Sequence, residues 1–191
     1  MKIEKLVADV LEDLDTVSDS EPNEKLPKEE QVRSRIYASL LNDFEFVCVE
    51  RNYFPVEDKS NIECDIWAKD SSSTALWLEL KRCWSCKGKG WVPKPPEQLR
   101  KWNEDVAKLS KVESKDNRYF FLVGVFDSNP LGEHKDRVPG VIKNIRNFYP
   151  DNLVYKVSRK FKWRNTNLSH IGAWVWHWKA GDDIAITNRS S

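Results

Sequence analysis

The run RYFFLVGVFD, residues 118–127, constrains the fold more than any other stretch. It is almost continuously apolar rather than alternating, so as a strand it needs cover on both faces. That places it inside a sheet with further layers on either side. A chain of 191 residues holds material for one sizeable core and hardly for two.

The segments around it fill in the layers. Ile3, Leu6, Val7, Val10, Leu11 and Leu14 recur at helical spacing, which predicts an amphipathic helix over residues 2–16. KEEQVRSRIYASLLN reads as a second helix striped by Val32, Ile36 and Leu40, with Pro27 just before its start. FEFVCVERNYF, IECDIWAK and TALWLELKRCW are rich in β-branched and aromatic residues. They predict three strands, the last two joined as a hairpin by the polar turn KDSSST. PEQLRKWNEDVAKLSKV predicts a helix with Leu99, Trp102, Val106 and Leu109 on one face. After the apolar strand come a short helix, VIKNIRNFY, two strands, LVYKVSRKF and GAWVWHWK, and the tail GDDIAITNRSS, expected to be loosely held. The fold class is α/β. A mixed sheet is flanked by helices, with residues 1–20 as an N-terminal helical extension and 21–185 as a single domain.

Composition narrows the class. Hydrophobic residues make up 40 % and charged residues 32 %, which excludes global disorder. The opening sequence lacks an unbroken apolar stretch, and no run approaches the length of a membrane span, so a cytoplasmic protein is expected. Cys48, Cys64, Cys83 and Cys86 need not pair in a reducing compartment, and Cys64 is expected to face away from Asp65. Net charge is +1, yet the charges are unevenly spread. Acids dominate up to Glu30, whereas between Arg137 and Arg164 the only acid is Asp151. Such a basic stretch can meet phosphates, or be a solvated face. The acidic first helix offers a docking surface for a protein partner. The nine tryptophans imply a well-filled core, stacking surfaces, or both. Trp174, Trp176 and Trp178 share one face that reads as core, with a homodimer contact as the alternative.

The chemistry lies in the hairpin. Glu79 and Lys81 are two apart in one strand and so point to the same side. Asp65, in the strand before, can stand across the ladder from Glu79. Two carboxylates on adjacent strands suit a hard divalent cation such as Mg²⁺, with Mn²⁺ as a substitute. The neighbouring carboxylates keep Lys81 protonated, which limits it as a base and suits it to stabilising charge on a phosphate. The bland alternative is a solvent-facing E-x-K on a half-exposed strand. Against it, Leu76, Leu78 and Leu80 fall on the opposite face from Trp77, Glu79 and Lys81.

The set comprises a helix with an acid near its start, a strand carrying Asp65, a strand carrying Glu79-x-Lys81, then a helix and a buried strand. Over residues 27–127 it resembles the PD-(D/E)xK nuclease superfamily, which includes restriction endonucleases, Holliday-junction resolvases and RecB-like exonucleases. Cys64 stands where the motif has proline. The resemblance implies a restriction-endonuclease-like fold and Mg²⁺-dependent phosphodiester cleavage of DNA, before RNA. Asp65 and Glu79 would be metal ligands and Lys81 the catalytic cation. The family's first helix often adds an acid to the site. Glu29, which shares a face with Val32 and Ile36, is favoured over Glu30. Gln98 and Trp102, four apart, resemble the Q-x-x-x-Y motif of RecB-like nucleases, with tryptophan in place of tyrosine; Trp102 as plain core is the competing reading. Lys87, Lys89, Trp91 and Lys94, in the loop beside the site, together with Gln98, are the expected nucleic-acid contacts. The alternative class is a catalytically inactive nucleic-acid-binding or protein-interaction module on the same fold.

Overall fold

The computed structural model describes residues 2–20, 28–53, 63–71, 74–85, 95–112, 115–133, 139–161 and 169–186. The elements run α1 (Ile3–Ser20), α2 (Glu29–Leu40), β1 (Phe46–Asn52), β2 (Glu63–Lys69), β3 (Ala75–Ser85), α3 (Pro95–Leu109), β4 (Asn117–Phe126), α4 (Gly140–Asn147), β5 (Leu153–Lys160) and β6 (His170–Trp178). A six-stranded mixed sheet has the order β1-β2-β3-β4-β6-β5. Only β3 and β4 run parallel, joined through α3, and all other neighbours are antiparallel.

The apolar run becomes β4, buried from Arg118 through Phe126. Its odd-numbered residues Tyr119, Phe121, Val123 and Val125 join the core beneath α1 and α2. Phe120, Leu122 and Phe126 point into the second core, beneath α3 and α4. The three aligned tryptophans of β6 fill that second core, with Trp176 Nε1 donating to the Phe148 carbonyl at 2.7 Å. They are interior packing, as their shared face suggests.

The N-terminal helix is part of this architecture. Leu6, Val7, Val10, Leu11 and Leu14 are all buried, against α2 and β6. Burying each such side chain contributes about 1.5–3 kcal/mol. Arg159 of β5 pairs with Asp15 of α1. Among the described residues no helix is long and apolar enough to cross a membrane.

The tail expected to be loosely held, residues 181–191, is anchored at Asp182 and Ile184, and its residues 187–191 lie outside the described residues. Arg118 donates to the carbonyls of Lys179 and Asp182, the Asp182 carboxylate accepts the Lys179 N–H at 2.8 Å, and Ile184 packs on the second core. The cause is a buried guanidinium on β4 that needs acceptors.

Candidate active site

The hairpin forms as its sequence predicts, with Ile66 opposite Leu78 and Trp67 opposite Trp77. One step further along that register, Asp65 falls opposite Glu79. On β2, Cys64, Ile66 and Ala68 are buried, while Asp65, Trp67 and Lys69 remain partly open on the other face. Cys64 therefore does point away from Asp65. On β3, Leu76, Leu78 and Leu80 enter the core beneath α1 and α2. Glu79 and Lys81 are left facing α3.

Each hairpin carboxylate is fixed by a neutral donor. Asp65 Oδ2 accepts the Leu80 backbone N–H at 2.7 Å, and Glu79 Oε1 accepts the Tyr53 hydroxyl at 2.5 Å. The second oxygen of each faces a cation: Asp65 Oδ1 lies 3.8 Å from Arg33 and Glu79 Oε2 lies 3.9 Å from Lys108. Glu29 stands in the first turn of α2, whose start is fixed by Gln31 Oε1 accepting the Lys28 N–H at 2.7 Å. From there its carboxylate reaches to 3.9 Å from Lys81 Nζ. Glu30 instead borders an exposed depression with Asp13, Gln31 and Arg35.

Asp105, on α3, is the member that sequence reasoning missed. It is 4 % exposed and lies between two lysines, 3.2 Å from Lys81 Nζ and 2.6 Å from Lys108 Nζ. Its Oδ2 is buried without a hydrogen bond despite the Lys81 ion pair. The signal was available. Gln98, Trp102, Asp105, Val106 and Leu109 form the buried stripe of α3, and an acid on an apolar stripe is the criterion that selected Glu29. Lys108, one turn further on, had no comparable signal.

Electrostatically the cluster is crowded with carboxylates. Burial, then the nearby Asp105 and Asp65, push the Glu79 carboxyl up to about 9, against the opposing pulls of Lys108 and the Tyr53 hydrogen bond. Burial also raises Glu29, partly offset by Lys81. Burial works against the charge on Lys81, but Asp105, Asp65, Glu29 and Glu79 outweigh it and hold the ammonium above its ordinary range. The side chain is therefore a fixed cation, as the sequence implied.

The remaining expected residues fall differently. Gln98 is buried at 5 % exposure, with Oε1 unpartnered, on the inner side of α3. Trp102 is 2 % exposed and packs edge-on to Phe148, which is the core reading. Lys87, Lys89, Trp91 and Lys94 lie outside the described residues, as does Cys86. Cys64 and Cys83 are buried free thiols and Cys48 an exposed one. Among the described residues no three histidines, cysteines or carboxylates are gathered closely enough to hold a metal ion by themselves.

No protein-family model matches the chain, and neither the curated proteins nor the solved structures searched gave a match.

Proposed function

We propose that the chain is a metal-dependent nuclease that hydrolyses phosphodiester bonds of DNA, with RNA as the second substrate class, on a restriction-endonuclease-like core. The observation that carries the reading is the antiparallel register which, continued one step past Ile66 and Leu78, sets Asp65 beside Glu79, near enough for Asp65 to help raise its carboxyl. Lys81 lies on the same face, with Glu29 within 3.9 Å of its ammonium.

Asp65 and Glu79 offer a divalent cation two carboxylates from adjacent strands, with no third such group gathered at the same point among the described residues. Burial, and after it the neighbouring Asp105 and Asp65, raise the Glu79 carboxyl, while Asp105 Oδ2, buried without a hydrogen bond, has the Lys81 ammonium 3.2 Å away as its ion-pair partner. A divalent cation beside Glu79 would favour its ionised form and relieve that raised carboxyl. Mg²⁺ commonly takes one or two carboxylates and fills its remaining positions with water and phosphate oxygens. Asp65 and Glu79 would hold it, Glu29 would have to draw closer to complete the shell, and Mn²⁺ would serve in its place. Bound there, the ion supplies water activation and charge neutralisation at the phosphate.

The protein's own groups account for the rest. Tyr53 and the Leu80 N–H orient the two carboxylates before substrate arrives. Lys81, kept charged by four carboxylates, donates to the phosphate oxygens as negative charge builds on them. It cannot act as the ground-state base, because its proton is held too tightly. Water adds to phosphorus in line with the departing ester oxygen, which leaves with a proton.

The test is cleavage of plasmid and single-stranded DNA with Mg²⁺, Mn²⁺ or EDTA, beside Lys81→Ala. Activity that needs metal and is lost with Lys81 supports the enzyme. One observation favours the second reading, a binding module without catalysis: Glu79 is only 1 % exposed and already hydrogen-bonded, which restricts an ion's approach. DNA binding that survives EDTA and Lys81→Ala, without cleavage, supports that module.

A further inference from the structure

β1 contains a backbone anomaly beside the carboxylates. Glu50 sits inside the strand at φ 54°, a left-handed conformation that non-glycine residues seldom adopt. Its effect is to change which side chains reach the α3 side of the sheet. In the register Cys48 lies opposite Trp67, while Arg51 lies opposite Cys64, whose side chain is on the far face. Regular alternation would send Arg51 to that far face as well. Instead its guanidinium lies 3.7 Å from the centre of the Trp67 ring. Tyr53, two residues on, stacks on Trp77 with ring centres 5.2 Å apart and planes at 15°. Glu50 turns its own carboxylate to Arg33, 2.8 Å away.

The result is a ladder. Arg51 covers Trp67, Trp67 meets Trp77 edge-on at 6.4 Å, Trp77 stacks on Tyr53, and Tyr53 touches Glu79. Asp116 fixes the inner rung by accepting the Trp77 indole N–H at 2.9 Å. Trp67 and Lys69 share the partly open face of β2. Tyr53 and Trp77 also pack on the second core and hold the ladder rigid, so Trp67 is the ring left to a base. With Arg51 and Lys69 beside it, Trp67 matches an unpaired base on a phosphate backbone. A duplex offers its edges and backbone but keeps its base faces stacked inside.

We propose that this ladder is the track along which an unpaired strand of nucleic acid approaches the carboxylates. A base takes the indole face of Trp67, and the displaced Arg51 contacts the neighbouring phosphate. The inference rests on the nuclease reading and specifies its substrate as single-stranded, or as an unpaired end.

Fluorescence anisotropy on the full chain tests it, in EDTA so that nothing is cleaved. The probes are a fluorescein-labelled oligothymidylate and a labelled hairpin duplex of equal length. Trp67→Ala is expected to weaken single-strand binding about tenfold and change duplex binding less than about twofold, with Trp67→Phe recovering most of the loss. Arg51→Ala is expected to lower the salt dependence of single-strand binding by about one ion. A structural contact would leave that slope alone, and Arg51→Ala keeps the test open should Trp67→Ala unfold. Equal losses on both probes, or none, overturn the ladder. If the wild type cleaves duplex DNA with Mg²⁺ while Trp67→Ala leaves single-strand binding intact, only the ladder falls. If the wild type neither binds nor cleaves either probe, the nuclease reading falls with it.

Discussion

The Tyr53 hydroxyl donates to Glu79 Oε1 at 2.5 Å, tying the residue just beyond β1 to the middle of β3. The bond favours the ionised carboxylate, so removing it drives the Glu79 carboxyl still higher. If cleavage needs that carboxylate ionised, Tyr53→Phe shifts the acid limb of the pH–rate profile towards alkaline pH. A limb that stays in place would detach Tyr53 from the chemistry.

Glu79 also predicts a pH-dependent stability. Its proton is held up to about 9 in the folded chain, against 4.5 as the ordinary value. Between those limits the folded state keeps a proton that the unfolded state has lost, so stability falls as pH rises. Glu79→Gln keeps an acceptor for Tyr53 and removes the titration. Its Tm should match the wild type near the acid end of that window and exceed it at the alkaline end. Each kcal/mol recovered raises Tm by about 2–4 °C. Thermal melts across the window check the slope, and parallel curves for the two proteins would refute the assignment.

Asp105 separates two ammonium groups. Asp105→Ala leaves Lys81 and Lys108 facing one another with a buried partner removed, at an expected cost of about 1.5–3 kcal/mol. Denaturant unfolding measures that cost. Cleavage should fall as well, because Lys81 loses its nearest ion-pair partner. Asp105→Asn, which keeps the shape, should recover stability more than rate.

The two acids at the start of α2 should separate in function. Glu29→Gln is expected to raise the metal concentration needed for half-maximal cleavage, whereas Glu30→Gln should leave it unchanged. Mn²⁺ titration of both variants reads the difference, and equal effects would make the helix dipole the common cause.

Trp102 distinguishes a recognition motif from packing. Its ring is buried against Phe148, so Trp102→Ala should destabilise the fold by about 3–5 kcal/mol. Trp102→Phe should retain both fold and single-strand affinity. Normal stability with lost affinity would restore the recognition role.

What the sequence revealed followed periodicity. Alternation in LWLELK separated Leu78 and Leu80 from Glu79 and Lys81, and the unbroken run of β4 announced its two covered faces. Helical spacing chose Glu29 over Glu30. What stayed hidden depended on tertiary contact. Asp105 acquires its neighbours only when α3 folds back over the parallel pair β3 and β4, and Lys108 follows it. The left-handed Glu50 breaks the alternation on which strand reading depends, so Arg51 and Tyr53 gave no sign of sharing a face with Trp67 and Trp77. Nothing in the sequence ties Arg118, at the head of the apolar run, to the carbonyls of Lys179 and Asp182 much later in the chain.

The seating of α1 against β6 has a consequence for biosynthesis. The helix leaves the ribosome long before the strand that completes its binding surface, and domains fold as units once their parts have emerged. Until His170–Trp178 has been translated, Leu6, Val10 and Leu14 lack part of their native cover. A nascent chain halted before that point would present a sticky amphipathic helix, the kind of surface that chaperones shield.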